Sequence, residues 1–269
     1  MPHYRVESVD DERVLVYRDL PGQRLTRESG LFIAEGRLLV ERLLQSRFKT
    51  HSILVDERRI GLLPPCSPDI PVYVTPAGYV EDIVGFRFHR GVLACGYRQP
   101  VESLASLGES LGKTALVVVC LGVQDPANLG GIMRNCAAFG ADAVIVSSDS
   151  ADPFARRVVR VSMGAALSVP VVECDDVQGV LKSLRDEHQC EIVATVVEEG
   201  ESLESANRAA RTALLIGGEA QGLSSEHVQV ADRRVTIPMQ LQTDSLNAAV
   251  ASGVFLYHFA RVASCPQRD

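Results

Sequence analysis

The 269-residue chain has no apolar run long enough to cross a bilayer. The longest, such as ALVVVCLGV at 115–123, fall short of the ~18 residues a span needs. The opening stretch MPHYRVESVDDERV has no apolar core of the secretory kind, so no signal peptide is expected. Neither CxxC nor a paired-histidine spacing occurs. The seven cysteines (66, 95, 120, 136, 174, 190, 265) are scattered and odd in number, several within apolar runs where a small thiol packs as a hydrophobe. The six histidines (3, 51, 89, 188, 227, 258) likewise form no metal set. No disulfide framework, no metal and no membrane are expected, and the reducing cytoplasm is the expected compartment. GxGxxG and GxxxxGK[ST] are both missing, which removes support for a dinucleotide or triphosphate site. Lysine is scarce, at 3 residues against 24 arginines.

The net charge of −7 weighs mildly against a nucleic-acid binder, but the charge is unevenly spread. Residues 1–100 carry 14 basic and 13 acidic side chains, whereas residues 101–269 carry 13 and 21. Arginine forks suit phosphate and base contacts, so charge alone decides nothing.

Hydrophobic periodicity divides the chain in two. LFIAEG, HSILVDERR, PVYVTP and RGVLACGYR read as strands around the helical pattern GRLLVERLLQSRF, a compact α/β module. VESLASLGESLGK (101–113), rich in Ser and Gly, reads as a linker. Strands and helices then alternate from TALVVVCLGV to VTIP, which predicts a mostly parallel sheet covered on both faces. SLNAAVASGVFLYHFARVA closes the chain as an apolar helix.

Three stretches carry candidate chemistry. In DPANLGGIMRN, Asn128 is positioned to cap a helix, Gly130 and Gly131 permit close approach, and Arg134 follows six residues after the cap. The plain alternative is a capped, tightly packed helix with Arg134 in solvent, and these residues alone leave both open. LLIGGEAQGLSSE (214–226) runs a buried strand into Gly217, Gly218, Glu219 and Gly222, at the strand end where open α/β sheets bind ligands. In VTIPMQLQTDSLNAAVASG (235–253), Asp244 or Ser245 is expected to cap the last helix, with Ser245, Leu246 and Asn247 at its mouth. The arginines of ARRVVR (155–160) read as a solvated helix face.

These blocks, in this order, resemble the SpoU (TrmH-like) family of RNA 2′-O-ribose methyltransferases of the SPOUT superfamily: DPANLGGIMRNCAAFGAD, LLIGGEAQGLSSE and IPMQLQTDSLNAAVASG. GLFIAEGRLLVERLL and FHRGVLACGYR resemble the L30e-like substrate-binding domain of its ribosomal-RNA branch. The resemblance implies an α/β chain in which residues 1–105 bind RNA, 106–114 link, and 115–269 form a SPOUT domain with a C-terminal trefoil knot. It implies S-adenosyl-L-methionine held by Gly217, Ile237 and Leu246, no metal, and a homodimer with its site near the subunit interface. The functional residues it implies are Asn128, Arg134, Glu219, Ser245 and Asn247. The reaction implied is an in-line attack by a ribose 2′-hydroxyl, with Arg134 as general base. A guanidinium is effectively always protonated, so Arg134 is better read as binding the adjacent phosphate and stabilising the developing alkoxide.

Leu241 stands where the family commonly has Gly, Asp244 where it has Ser, and Ala220 where it has Gly. The expected substrate is ribosomal RNA ahead of transfer RNA, and the alternative from another class is a non-catalytic RNA-binding protein of the same fold.

Overall fold

The computed structural model describes residues 3–18, 20, 30–88, 91–98, 103–240 and 245–263. The chain divides into two compact units, Met1–Pro100 with Phe154–Ser168, and Val101–Pro153 with Val169–Asp269.

The first unit is built on a five-stranded mixed sheet. Its strands are β1 (His3–Arg5), β2 (Leu31–Glu35), β3 (Thr50–Asp56), β4 (Val72–Thr75) and β5 (Val92–Tyr97), in the order β1-β4-β3-β5-β2. β3 pairs parallel with β4 and antiparallel with β5, which also runs antiparallel to β2. The four expected strands are present; β1, at three residues, is too short to leave a pattern in the sequence. Alternation along the strands sends Ile33, Leu54, Leu93 and Cys95 into one core with Tyr17, Val80 and Ile83. There the Tyr17 and Ser52 hydroxyls hydrogen-bond at 2.8 Å, satisfying two buried polar groups. Helices α1 (Arg37–Gln45) and α2 (Tyr79–Val84) belong to this unit.

The second unit is built on a seven-stranded, all-parallel sheet. β6 (Ala115–Leu121), β7 (Ala143–Ser147), β8 (Val171–Cys174), β9 (Glu191–Thr195), β10 (Glu201–Ser202), β11 (Arg211–Gly217) and β12 (Arg233–Thr236) lie in the order β10-β12-β9-β11-β6-β7-β8. Every residue of β6 is buried, the uniformly apolar signature of a strand covered on both faces.

Helix α3 (Leu104–Ser110) occupies the segment expected to be a linker. Ser103 caps it, and Leu107 and Leu111 join the core formed by Val117, Val119, Ile145 and Leu215. Leucines at 104, 107 and 111 give a helical face that the polar residues between them hide.

Helix α4 (Pro126–Phe139) packs against β7, and α8 (Ala248–Tyr257) against β11. Between β7 and β8 the chain contributes α5 (Arg156–Val161) to the first unit. Arg156 there ion-pairs with the buried Glu35 at 2.9 Å and stacks on Phe86, so the ARRVVR face is partly a packing face rather than a solvated one. Helices α6 (Val177–Asp186) and α7 (Ser225–Gln229) complete the second unit. The six described cysteines are all free, and no group of described residues has a metal-binding arrangement. No helix among the described residues is long and apolar enough to cross a membrane.

Candidate functional site

β11 leaves the sheet directly into the glycine loop. A Cβ on Gly218 would overlap the backbone of Gly122, and one on Gly217 the backbone of Gly222, so only glycine permits this fold-back. Gly222 N donates to Gly218 O at 3.0 Å and closes the loop on itself. The turn after β6 that receives it is held by two buried hydroxyls: Ser147 accepts from Gly122 N at 3.1 Å, and Ser150 from Val123 N at 3.0 Å.

The loop is a wall between two cavities. The first, about 310 Å³, lies between the ends of β9 and β11, the segment after β12 and the start of α8. Gly217, Ile237 and Leu246, the residues expected to hold the cofactor, all line it, as do Glu219 and Ser245. Sequence reasoning missed Val197, Met239 and Phe255, which add apolar wall; no motif marks them. The second cavity, about 640 Å³, is lined by Asn128, Asp125, Asp149, Glu219 and His227. Three carboxylates and no Lys or Arg line it, so a phosphate is not what it suits.

The helix caps differ from expectation. Asp125, not Asn128, caps α4: its carboxylate accepts from Ala127 N at 2.9 Å, and Pro126 takes the first helical position, where a missing N–H costs nothing. Asn128 is therefore inside the helix and buried. Asn247, not Asp244 or Ser245, caps α8, its Oδ1 accepting from Ala249 N at 3.0 Å and Val250 N at 3.3 Å. Asp244 and Leu241 lie outside the described residues, and Ser245 is exposed at the cavity rim.

These corrections produce the central feature of the site. Asn247 Nδ2 donates to Asn128 Oδ1 at 2.8 Å, and Asn128 Nδ2 donates to Glu219 Oε1 at 2.6 Å. Two residues 91 and 119 positions from Asn128 thus join it in one chain of hydrogen bonds, running from the start of α8 through α4 to the wall between the cavities.

α4 and α8 can make this chain because they nearly touch. A Cβ on Gly131 would stand 2.6 Å from that of Ala249, and Asn135 Nδ2 donates to Ala249 O at 2.7 Å and Ser252 Oγ at 3.0 Å. The close approach that Gly131 permits is therefore to another helix.

Arg134 is not aimed at the same mouth. Six residues at about 100° each carry it roughly 240° around the helix from Asn128. It is exposed and lines neither cavity. Of the five expected functional residues, Asn128, Glu219 and Asn247 are in contact, Ser245 lines the first cavity, and Arg134 stands apart.

A family profile described as the SpoU rRNA Methylase family matches residues 115–257. An uncharacterised tRNA/rRNA methyltransferase of Mycobacterium tuberculosis is 37% identical over 94% of this chain and 90% of its own. The 23S rRNA (guanosine(2553)-2′-O)-methyltransferase RlmP of Bacillus subtilis is 28% identical over 94% of this chain and 98% of its own. The SpoU methyltransferase AviRb of Streptomyces viridochromogenes, solved in complex with the cofactor AdoMet, superposes with a TM-score of 0.80 at 25% identity, covering 93% of this chain and 97% of that one.

Proposed function

Because the chain belongs to the SpoU rRNA methylase family and is an S-adenosylmethionine-dependent RNA methyltransferase, we propose that it methylates a ribose 2′-hydroxyl, with ribosomal RNA the substrate ahead of transfer RNA. The observation that carries this reading is the Asn247–Asn128–Glu219 chain lying against the wall that the two cavities share.

The first cavity suits the cofactor by its donor set: bare backbone at Gly217 and Gly218, beside the apolar walls of Ile237, Leu246 and Phe255. Its volume sits at the lower end of the roughly 300–1,000 Å³ typical of ligand sites. When bound, S-adenosylmethionine supplies an electrophilic methyl group. The protein supplies orientation and charge. Asn128 has both ends of its amide committed, so it is a rigid reference with little to reorganise during reaction. Arg134, permanently cationic, holds the phosphate beside the target ribose and stabilises the alkoxide as it develops, with that phosphate accepting the proton. Ser245 and Asn247 shape the substrate side.

Arg134 is exposed and lines neither cavity of its own chain, and this favours a homodimer in which another copy provides the site. On α8, Val250, Val254 and Tyr257 are 54%, 40% and 55% exposed at helical spacing, and Tyr257 meets Phe139 of α4 with ring centroids 5.9 Å apart. An exposed apolar stripe on that helix pair suits an isologous interface carrying each Arg134 to the partner's cavities. The trefoil knot belongs to the same reading. β12 inserts between β10 and β9, after which the chain doubles back to set Asn247 against Asn128. So does the assignment of RNA binding to an L30e-like domain at 1–105, a 106–114 linker and catalysis to 115–269, with 154–168 grouped with the first.

Labelled S-adenosylmethionine and RNA lacking its own modifications test the activity; absence of transfer to any cellular RNA sinks it. Mixing Arg134→Ala with Asn128→Ala protein tests the dimer. Two dead parents that recover transfer on mixing place Arg134 in trans, and no recovery rejects it. The binder-only alternative fails if Arg134→Ala abolishes methylation while RNA binding persists.

A further inference from the structure

One end of the mixed sheet gathers cationic and aromatic side chains for which methyl transfer has no use. Residues 47–51 (Arg-Phe-Lys-Thr-His) lead into β3, and Tyr97 and Arg98 close β5. Tyr97 N donates to Lys49 O at 2.8 Å, which fixes the two strings side by side. The Tyr97 ring meets His51 edge-on, centroids 5.3 Å apart, yet the residue stays 47% exposed. Burial pushes the His51 pKa below its usual value.

Next to this pair, Arg47 lies over Phe48 at 5.3 Å and Arg98 over Phe154 at 4.9 Å. Phe48 and Phe154 pack on each other and on Phe32, so both guanidiniums rest on one buried aromatic bed. A stacked guanidinium loses less freedom on meeting an anion than a free one does. Lys49 is exposed two residues from Arg47. The unit carrying this surface holds 17 basic against 13 acidic side chains, net +4.

An exposed π-face beside oriented cations matches a polymer that presents bare bases and phosphates together. A duplex hides its base faces, and an acidic peptide has nothing to stack. We infer that this end of the sheet docks an unpaired stretch of RNA, one base stacking on Tyr97 while Arg47, Lys49 and Arg98 engage the flanking phosphates. The inference rests on the RNA methyltransferase reading and names where that substrate is gripped.

Fluorescence anisotropy with a mixed-sequence single-stranded RNA 12-mer and a blunt RNA duplex, using the whole chain, tests it. The single strand binds more tightly than the duplex. Tyr97→Ala weakens single-strand binding by about 5- to 100-fold, and Tyr97→Phe stays within about twofold of the parent. Lys49→Gln lowers the slope of log affinity against log salt by about 0.7. Against an RNA substrate, Tyr97→Ala raises KM and spares kcat. Unchanged affinity in Tyr97→Ala, with methyl transfer intact in the parent, overturns the docking surface alone. A parent that neither binds nor methylates RNA overturns the methyltransferase reading with it. Should Tyr97→Ala alter the oligomeric state instead of RNA affinity, the patch is a self-association face and the inference falls.

Discussion

The unit built on the mixed sheet is net +4, whereas the all-parallel unit carries 10 basic against 21 acidic side chains, net −11. Yet both cavities and the Asn247–Asn128–Glu219 chain lie in the acidic unit. A field of that sign repels RNA on average, so the proposed reading gives affinity and chemistry separate sources. The carboxylates that line the second cavity disfavour a phosphate there, so on the proposed reading the stabilising cation has to come from outside that lining.

The variants that sharpen this contrast most are at Arg134. Arg134→Ala is expected to lower kcat for methyl transfer by about 10²- to 10³-fold, the usual loss on removing one stabiliser of developing charge. RNA affinity, measured by anisotropy, stays near that of the parent; a matching fall in affinity would break the division of labour. Asn128→Ala, which frees Glu219 and the Asn247 amide, is expected to cost about 10²-fold in kcat with little change in KM. Gly218→Ala forces a methyl group into Gly122, and a loss of about 1–3 kcal/mol in unfolding free energy, with cofactor binding lost in calorimetry, is the outcome.

The smallest effect belongs to the other unit. Asp56 caps the turn after β3 and is 2.8 Å from Arg58, which holds its carboxyl well below the usual carboxylate range, aided by the Gly78 N–H. A depressed value means stability that is full above the ordinary carboxylate pKa near 4 and is lost as pH falls below it. Asp56→Ala should therefore cost about 1 kcal/mol at pH 7 in thermal melts and progressively less in acid, without touching methyl transfer.

How far the site was legible varies residue by residue. Buried parallel strands announce themselves by unbroken apolar runs, and the β-α rhythm from residue 115 onward is read directly from them. Asp125, Asn128, Asp244, Ser245 and Asn247 are all good capping residues, and spacing alone does not choose among neighbours. Asp125-Pro126 was the better signal, since proline suits the first turn. The grouping of 154–168 with the first unit has no local signature: it is decided by Arg156 finding Glu35, 121 positions away. α8 is apolar on every side, so its sequence does not say which face meets α4 and which is left open. Arg134 is marked by its spacing from Asn128 and by the resemblance, but helical phase, not sequence distance, decides where it points.

Asn247 performs two tasks with one amide: its oxygen starts the last helix and its nitrogen holds Asn128. Fraying of the first turn of α8 and disassembly of the site are therefore a single event. If that turn opens for some fraction of the time, the proposed site is disassembled for the same fraction, and its apparent dissociation constant is divided by the population that remains closed. Amide exchange at Ala249 and Val250 would read that population directly.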